Sequence, residues 1–240
     1  MTEVIFESDV PVSKEFGDVY FSKEGGMEET VYVFWEGNDI PKKLKASGKS
    51  SFSIGELGFG TGLNYFVSLE LWRKEKKPPS LFFYTLEKHP LEERTLKTMQ
   101  THFPELITWE TSILQSYLNY MARKPIPQDP WEWIVPHPSG TSTFTLKLYL
   151  GDVSEVLKIW DVSIDSWYLD GFAPSKNPQM WSEEILSAVA EKSKQGSSFS
   201  TFTAAGFVRR SLQNLGFSVE KRKGFGKKRE MLVGRFTRTN

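Results

Sequence analysis

The chain of 240 residues contains no cysteine, which excludes disulfides, thiolate metal sites and thiol nucleophiles together. Its three histidines, His89, His102 and His137, are too few and too scattered for a metal site, so no metal is expected. No apolar run approaches the ~20 residues of a membrane helix, and no membrane partner is expected. The first ten residues, MTEVIFESDV, are acidic where a secretory signal would be basic. A cytoplasmic protein is expected on these grounds. Net charge is also lacking, because 30 Lys and Arg balance 30 Asp and Glu. Taken alone, that argues against a nucleic-acid binder.

The distribution of charge says otherwise. Residues 1–40 hold ten acids against Lys14 and Lys23, whereas residues 201–240 hold ten Lys or Arg against Glu220 and Glu230. Such asymmetry suggests either a localised basic face or a solvated charged tail. Arg209, Arg210, Lys227, Lys228 and Arg229 lie in that run, interleaved with Phe225 and glycines. Hydrophobic content of 39% and charged content of 25% are those of an ordinary globular protein with a substantial core.

The most informative stretch is Ile54-Gly55-Glu56-Leu57-Gly58-Phe59-Gly60-Thr61-Gly62-Leu63-Asn64, an apolar run that breaks into alternating glycines before a helical pattern. That is a strand, a tight turn and a helix start, with no Cβ to keep a ligand from the backbone. A dinucleotide fingerprint reads G-x-G-x-x-G and a phosphate loop ends in G-K-[ST]. Neither is present. Glu56, just before the glycines, would repel a pyrophosphate but would pair with a cationic amino-acid group. The pattern E-x-G-x-G-x-G resembles the first motif of the class I S-adenosylmethionine-dependent methyltransferases.

The remaining pattern is coarse but ordered. Asp18–Ser22 and Thr30–Trp35 are rich in β-branched and aromatic residues around Gly25-Gly26, which predicts a hairpin. From residue 51 strands alternate with helices. Strands are predicted over 51–57, 81–86, 143–150, 164–169 and 196–203, with a closing hairpin over 217–222 and 230–236. Helices are predicted over 63–74, 90–103, 112–123, 153–160, 178–194 and 205–215. Residues 124–142, crowded with proline and tryptophan, fit neither period and read as a surface loop or flap. Such alternation implies a mainly parallel sheet whose ligands sit at the carboxyl ends of the strands. Glu56, the glycine turn, Glu87, Asp152 and Asp170 all fall at such ends. Glu87, about 25 residues past the glycines, stands where an acid hydrogen-bonds a ribose. Asp152 is placed to accept from an adenine amino group. Asp170-Gly171-Phe172-Ala173-Pro174 is similar to the acid-x-x-aromatic loops of amino-group methyltransferases, in which a carboxylate holds an NH₂.

Three blocks, residues 18–38, 169–181 and 201–234, together with Glu56–Asn64, resemble the methyltransferase half of the bifunctional tRNA 5-methylaminomethyl-2-thiouridine biosynthesis protein. The resemblance spans essentially the whole chain. It implies an α/β fold of the Rossmann-like class I methyltransferase type, a mainly parallel seven-stranded sheet with an antiparallel C-terminal strand. A small N-terminal hairpin element over 1–45 would precede a methyltransferase domain over 46–240. It further implies methyl transfer from S-adenosylmethionine, without FAD or metal, to the aminomethyl group of a wobble uridine, with the tRNA anticodon stem-loop as partner.

By that resemblance Asp170 is the active-site acid, and Glu56, Gly58, Gly60, Gly62, Asn64, Glu87 and Asp152 hold the cofactor. Asp18 and Tyr20 cover the site, and Phe172, Pro174 and Lys176 face the substrate. Arg209, Arg210, Lys227, Lys228 and Arg229 are expected to meet tRNA phosphates. In the bifunctional protein a flavin-dependent half makes the aminomethyl group. No second glycine fingerprint occurs before Asn240, so a separate enzyme is expected to supply that precursor. The competing readings are a class I methyltransferase of another amine, on a small molecule or a protein, and a non-catalytic tRNA-binding relative. The basic run speaks against the first and Asp170 against the second.

Overall fold

A computed structural model describes residues 4–7, 10–22, 25–46, 48, 50–106 and 109–238. The chain opens with β1 (Val4–Glu7), β2 (Val10–Ser13) and β3 (Asp18–Val19), which pair antiparallel in the order β1-β2-β3. It then turns helical, through α1 (Gly26–Thr30), a π-helical segment Val31–Glu36, and α2 (Ile40–Ala46). A small N-terminal hairpin therefore exists, but not where the residue pattern predicted it. Thr30–Trp35 is helix rather than strand. Val33, Phe34 and Trp35 are consecutive and all buried, whereas a strand sends neighbours to opposite faces. Burial of a contiguous apolar run overrides the β-propensity of its residues.

The main body follows as β4 (Ser51–Leu57), α3 (Leu63–Lys74), β5 (Ser80–Glu87), α4 (Glu93–His102), α5 (Thr111–Ala122) and β6 (Trp131–Pro136). It continues with β7 (Thr143–Leu150), α6 (Val153–Ile159), β8 (Ile164–Tyr168), α7 (Glu183–Glu191), β9 (Ser193–Thr201), α8 (Gly206–Asn214), β10 (Phe217–Lys223) and β11 (Glu230–Phe236). These strands form one sheet in the order β10-β11-β9-β8-β4-β5-β7-β6. The five central strands are parallel, and β6, β10 and β11 pair antiparallel.

Among the described residues the sheet thus has eight strands, one more than the resemblance implied. The extra one, β6, comes from the stretch that fitted neither period. Its alternation is real, with Trp131 buried and Glu132, Ile134 and Pro136 exposed. Prolines on both sides and at its last position mask it, and an edge strand tolerates them because one side of its backbone needs no partner. Two helix starts also move. Pro90 precedes rather than opens α4. Pro178 opens a short 3₁₀ turn, Pro178–Trp181, after which Ser182 caps α7 by accepting from the Ile185 N–H.

Both faces of the sheet are covered. One core joins α3, α4 and α5 with the N-terminal helices, the other joins α6, α7 and α8. α3 is buried on most of its circumference, from Leu63 through Leu69 and at Trp72, because the sheet lies on one side and the N-terminal helices on another. Those helices are also tied down by polar contacts. Asn38, 1% exposed, donates from Nδ2 to Phe34 O (3.0 Å) and Trp167 O (3.1 Å) and accepts from Ser198 Oγ. Lys43 Nζ donates to Ser166 Oγ at 2.9 Å.

Asn38 therefore fixes the N-terminal helices to β8 and β9. Asn38→Ala should remove three buried hydrogen bonds and destabilise the protein by about 1–3 kcal/mol. The check is a lowered urea midpoint with an unchanged slope.

Candidate active site

Chain order fixes where a ligand can lie. From β4 the chain moves outward through β5 to β7, then returns to place β8 on the other side of β4. The crevice above this reversal is the ligand site of open α/β sheets. Gly58, just after β4, and Gly171, just after β8, meet there, and a Cβ on Gly58 would lie 3.4 Å from Gly171 Cα. Gly58, Gly60 and Gly62 have φ of 87°, 53° and 79°, a region that L side chains rarely adopt. The turn is thus built for glycine and leaves its outer face bare.

Above it opens a cavity of ≈ 1170 Å³. A single drug-sized ligand occupies a pocket of roughly 300–1,000 Å³, so a cofactor and part of a substrate fit together. The cavity wall includes Gly58, Gly60, Asn64, Glu87, Asp152, Asp170, Phe172, Asp18, Tyr20, Lys176, Lys227 and Lys228. Residues read from separate stretches of the chain are thereby brought to one space.

At its floor lies a connected polar chain. Asn64, on the first turn of α3, sends its two amide hydrogens to two carboxylates, Asp170 Oδ2 at 2.6 Å and Glu56 Oε1 at 2.9 Å. Its carbonyl accepts from Thr30 Oγ1 at 2.8 Å. Glu56 Oε2 accepts from Thr85 Oγ1 at 2.6 Å. Glu56, 1% exposed, stands behind the cavity wall rather than in it. Burial raises its carboxyl well above the carboxylate range, so its place is to hold Asn64. Asp170 is open to the cavity on one side and enclosed by protein on the others. Burial pushes its carboxyl up to about 7, against the hydrogen bonds from Asn64 and the Gly171 N–H.

The acids at the next two strand ends are already engaged with the protein. Glu87 accepts from the Gly60 N–H (2.8 Å) and the His89 N–H (2.7 Å), so it pins the glycine turn. Asp152 caps α6 through the Ser154 N–H at 3.0 Å and pairs with Lys88 Nζ at 3.0 Å. The Ser154 hydroxyl is the main reason its carboxyl lies below the usual range. Gly62 caps α3 behind the wall, and Pro174, Arg209, Arg210 and Arg229 also lie outside the lining.

The roof comes from the N-terminal element. Asp18 Oδ2 accepts from the Ala173 N–H at 2.9 Å, and Phe16 stacks on Phe172 with ring centres 4.7 Å apart. Tyr20 meets Phe172 edge-on at 5.2 Å. Sequence reasoning gave Phe16, Glu29, Thr30 and Phe202 no part in the site. A lone Phe or a Thr one turn into a helix carries no local signal, and only the fold brings them here.

The donor set suits S-adenosylmethionine. Its ribose diol and adenine amine each need an acceptor, and Glu87 and Asp152 line one wall at the ends of neighbouring strands. A Cβ on Gly60 would approach the Tyr20 ring to 3.3 Å and narrow the passage between turn and roof. Among the described residues, no group of three or more His, Asp or Glu is placed to hold a metal. No described helix is long and apolar enough to cross a membrane.

The fold is that of the class I S-adenosylmethionine-dependent methyltransferases. Residues 128–237 match the model of a family described as S-adenosyl-L-methionine-dependent methyltransferase. The crystal structure of MNMC2 from Aquifex aeolicus is similar over 100% of this chain and 73% of that one, at 23% identity and a TM-score of 0.69. A precorrin-6y C5,15-methyltransferase from Geobacter metallireducens covers 96% of this chain and 97% of its own, at 14% identity and a TM-score of 0.47. The chain has the fold of these methyltransferases, and the match over residues 128–237 and the likeness to MNMC2 agree with the resemblance read from its sequence blocks.

The raised Asp170 value has a stability consequence of definite sign. Between the ordinary carboxylate value and about 7 the folded protein keeps a proton that the unfolded chain has released. The contribution of this group is therefore fully present below the ordinary value and lost as pH rises through 7. Asp170→Asn carries no charge to desolvate, so its urea midpoint should gain on wild type steadily from pH 5 to pH 8. A constant difference over that range would contradict the assignment.

Proposed function

We propose that the protein transfers a methyl group from S-adenosylmethionine to the amine of 5-aminomethyl-(2-thio)uridine at the tRNA wobble position. The product is the 5-methylaminomethyl nucleoside. The observation that carries this reading is the buried Asp170 carboxylate on the Asn64 amide, in the same cavity as the glycine turn. The sequence resemblance, the family match over residues 128–237 and the likeness to MNMC2 support it. When bound, the cofactor supplies an electrophilic methyl on a sulfonium, with Glu87, Asp152, Gly58 and Gly60 as the residues that would hold it.

The chain's own residues prepare the amine. An aliphatic ammonium has a pKa near ~10 and must lose a proton before its lone pair is available. A carboxylate held near 7 is a better proton acceptor than an ordinary one, because general-base catalysis works best with a pKa near the working pH. Asp170 accepts hydrogen bonds from the amine and orients it, with Asn64 fixing the carboxylate. Phe16, Tyr20 and Phe172 close one side and exclude water.

The basic end gives the reading its partner. Lys227, Arg229 and Arg210 are exposed, and single-stranded anticodon bases are read by stacking while phosphates are held by Lys and Arg. The residues over 1–45 serve as a cap on the methyltransferase domain over 46–240.

Labelled cofactor and tRNA from cells lacking this protein test the reading, with nucleoside mass analysis of the product. Asp170→Asn should lower methyl transfer by at least about 10²-fold with cofactor affinity retained, and full activity would sink the assignment. Lys227→Ala with Arg229→Ala should weaken tRNA binding and make its salt dependence shallower, by roughly one unit of slope for each phosphate no longer neutralised. Binding that is unaltered across a salt titration would remove the tRNA part of the proposal.

A further inference from the structure

Beside Asp170 the cavity wall carries a second carboxylate, Glu29 on α1, the residue before Thr30. Its side chain is 13% exposed, and Oε1 lies 2.7 Å from Lys228 Nζ in the turn between β10 and β11. The same ammonium lies 4.7 Å from the centre of the Phe202 ring. Phe202 and Lys228 both line the cavity. An ammonium is thus held between a carboxylate and an aromatic face, which is the way proteins bind cationic amines. Glu29 and Lys228 are also near enough to act on the Asp170 carboxyl in opposite directions.

We propose that Glu29 and Phe202 are the recognition site for the substrate's ammonium, and that Lys228 fills this site until the substrate displaces it. This rests on the reading of the acceptor as an aminomethyl group. Exchange of one ammonium for another leaves the local charge unchanged, so Glu29 is never left unpaired in a partly dry site. The turn that carries Lys228 can give way. It is exposed from Gly226 to Arg229, and its ties include the backbone bonds Lys228 N–H to Phe225 O and Gly224 N–H to Arg229 O, Tyr32 Oη donating to Lys223 O, and the Phe225 ring against Tyr32. Once released, Lys228 joins Lys227 and Arg229 on the outer surface, where a phosphate would meet it. Arrival of the amine and engagement of the backbone would then be one event. An ordinary surface ion pair predicts none of this coupling.

The experiment measures binding of two nucleosides, 5-aminomethyluridine and its neutral analogue 5-hydroxymethyluridine, to the full chain saturated with S-adenosylhomocysteine. Glu29→Gln should weaken the amine by roughly tenfold or more while leaving the neutral analogue and the cofactor product unchanged. Lys228→Met, which removes the internal competitor, should bind the amine several-fold more tightly than wild type. The proposal is overturned if Glu29→Gln binds the amine as wild type does, or if Lys228→Met binds it more weakly. Methylation of aminomethyl tRNA by the wild type separates the two levels. Activity with an unchanged KM in Glu29→Gln defeats this inference alone, whereas a wild type that methylates no tRNA amine defeats the proposed function and with it this inference.

Discussion

At the centre of the molecule the Asn64 amide donates to two carboxylates, Glu56 and Asp170, and accepts from Thr30. Burial raises the carboxyl of each, and Asp170 pushes Glu56 up further; an amide with two N–H groups is the neutral side chain that can satisfy both. The three partners come from β4, the loop after β8 and α1. The amide itself sits on the first turn of α3, directly after the glycine turn. Loss of this one group would take one donor from each carboxylate in a nearly dry place, which is costly for any charge. The floor of the cavity, the entry to α3 and the seating of the N-terminal helices therefore depend on a single side chain.

The N-terminal element is coupled to the same centre from above. Asp18 holds the Ala173 N–H, Phe16 covers one face of Phe172, and Glu29 reaches Lys228 across the mouth. Floor and roof are thus two parts of one arrangement. Residues 26–46 reach it through buried apolar contacts of Val33, Phe34, Trp35 and Ile40 and through Asn38 and Lys43 on β8 and β9. A segment with these attachments positions the site as much as the sheet does.

Much of this was legible in the residues because the relevant signals are local. The helix over 63–74 and the strand over 143–150 follow from hydrophobic period alone, and their bounds are those of α3 and β7. The glycine turn is marked by positive φ that only glycine adopts easily. What misled was local propensity acting against long-range burial. Thr30–Trp35 has the composition of a strand, yet three adjacent buried side chains require a helical segment packed on α3. β6 has the alternation of a strand, yet flanking prolines conceal it until β7 supplies the partner.

For the site the division is sharper. The sequence by itself determined the glycine turn, the acids Glu56, Glu87, Asp152 and Asp170 at the strand ends, and the basic C-terminal run, because each depends on residue type at short spacing. Only the tertiary structure decided that Glu56 stands behind the wall, that Glu87 clamps the Gly60 N–H, and that Asn64 joins two carboxylates, one of them 106 residues away. It also decided that Glu29 and Lys228, 199 residues apart, meet as an ion pair at the mouth. These assignments depend on which strand lies beside β4 and which helix covers α3. Such neighbours are set by burial across the whole sheet, a quantity that no short stretch of sequence contains.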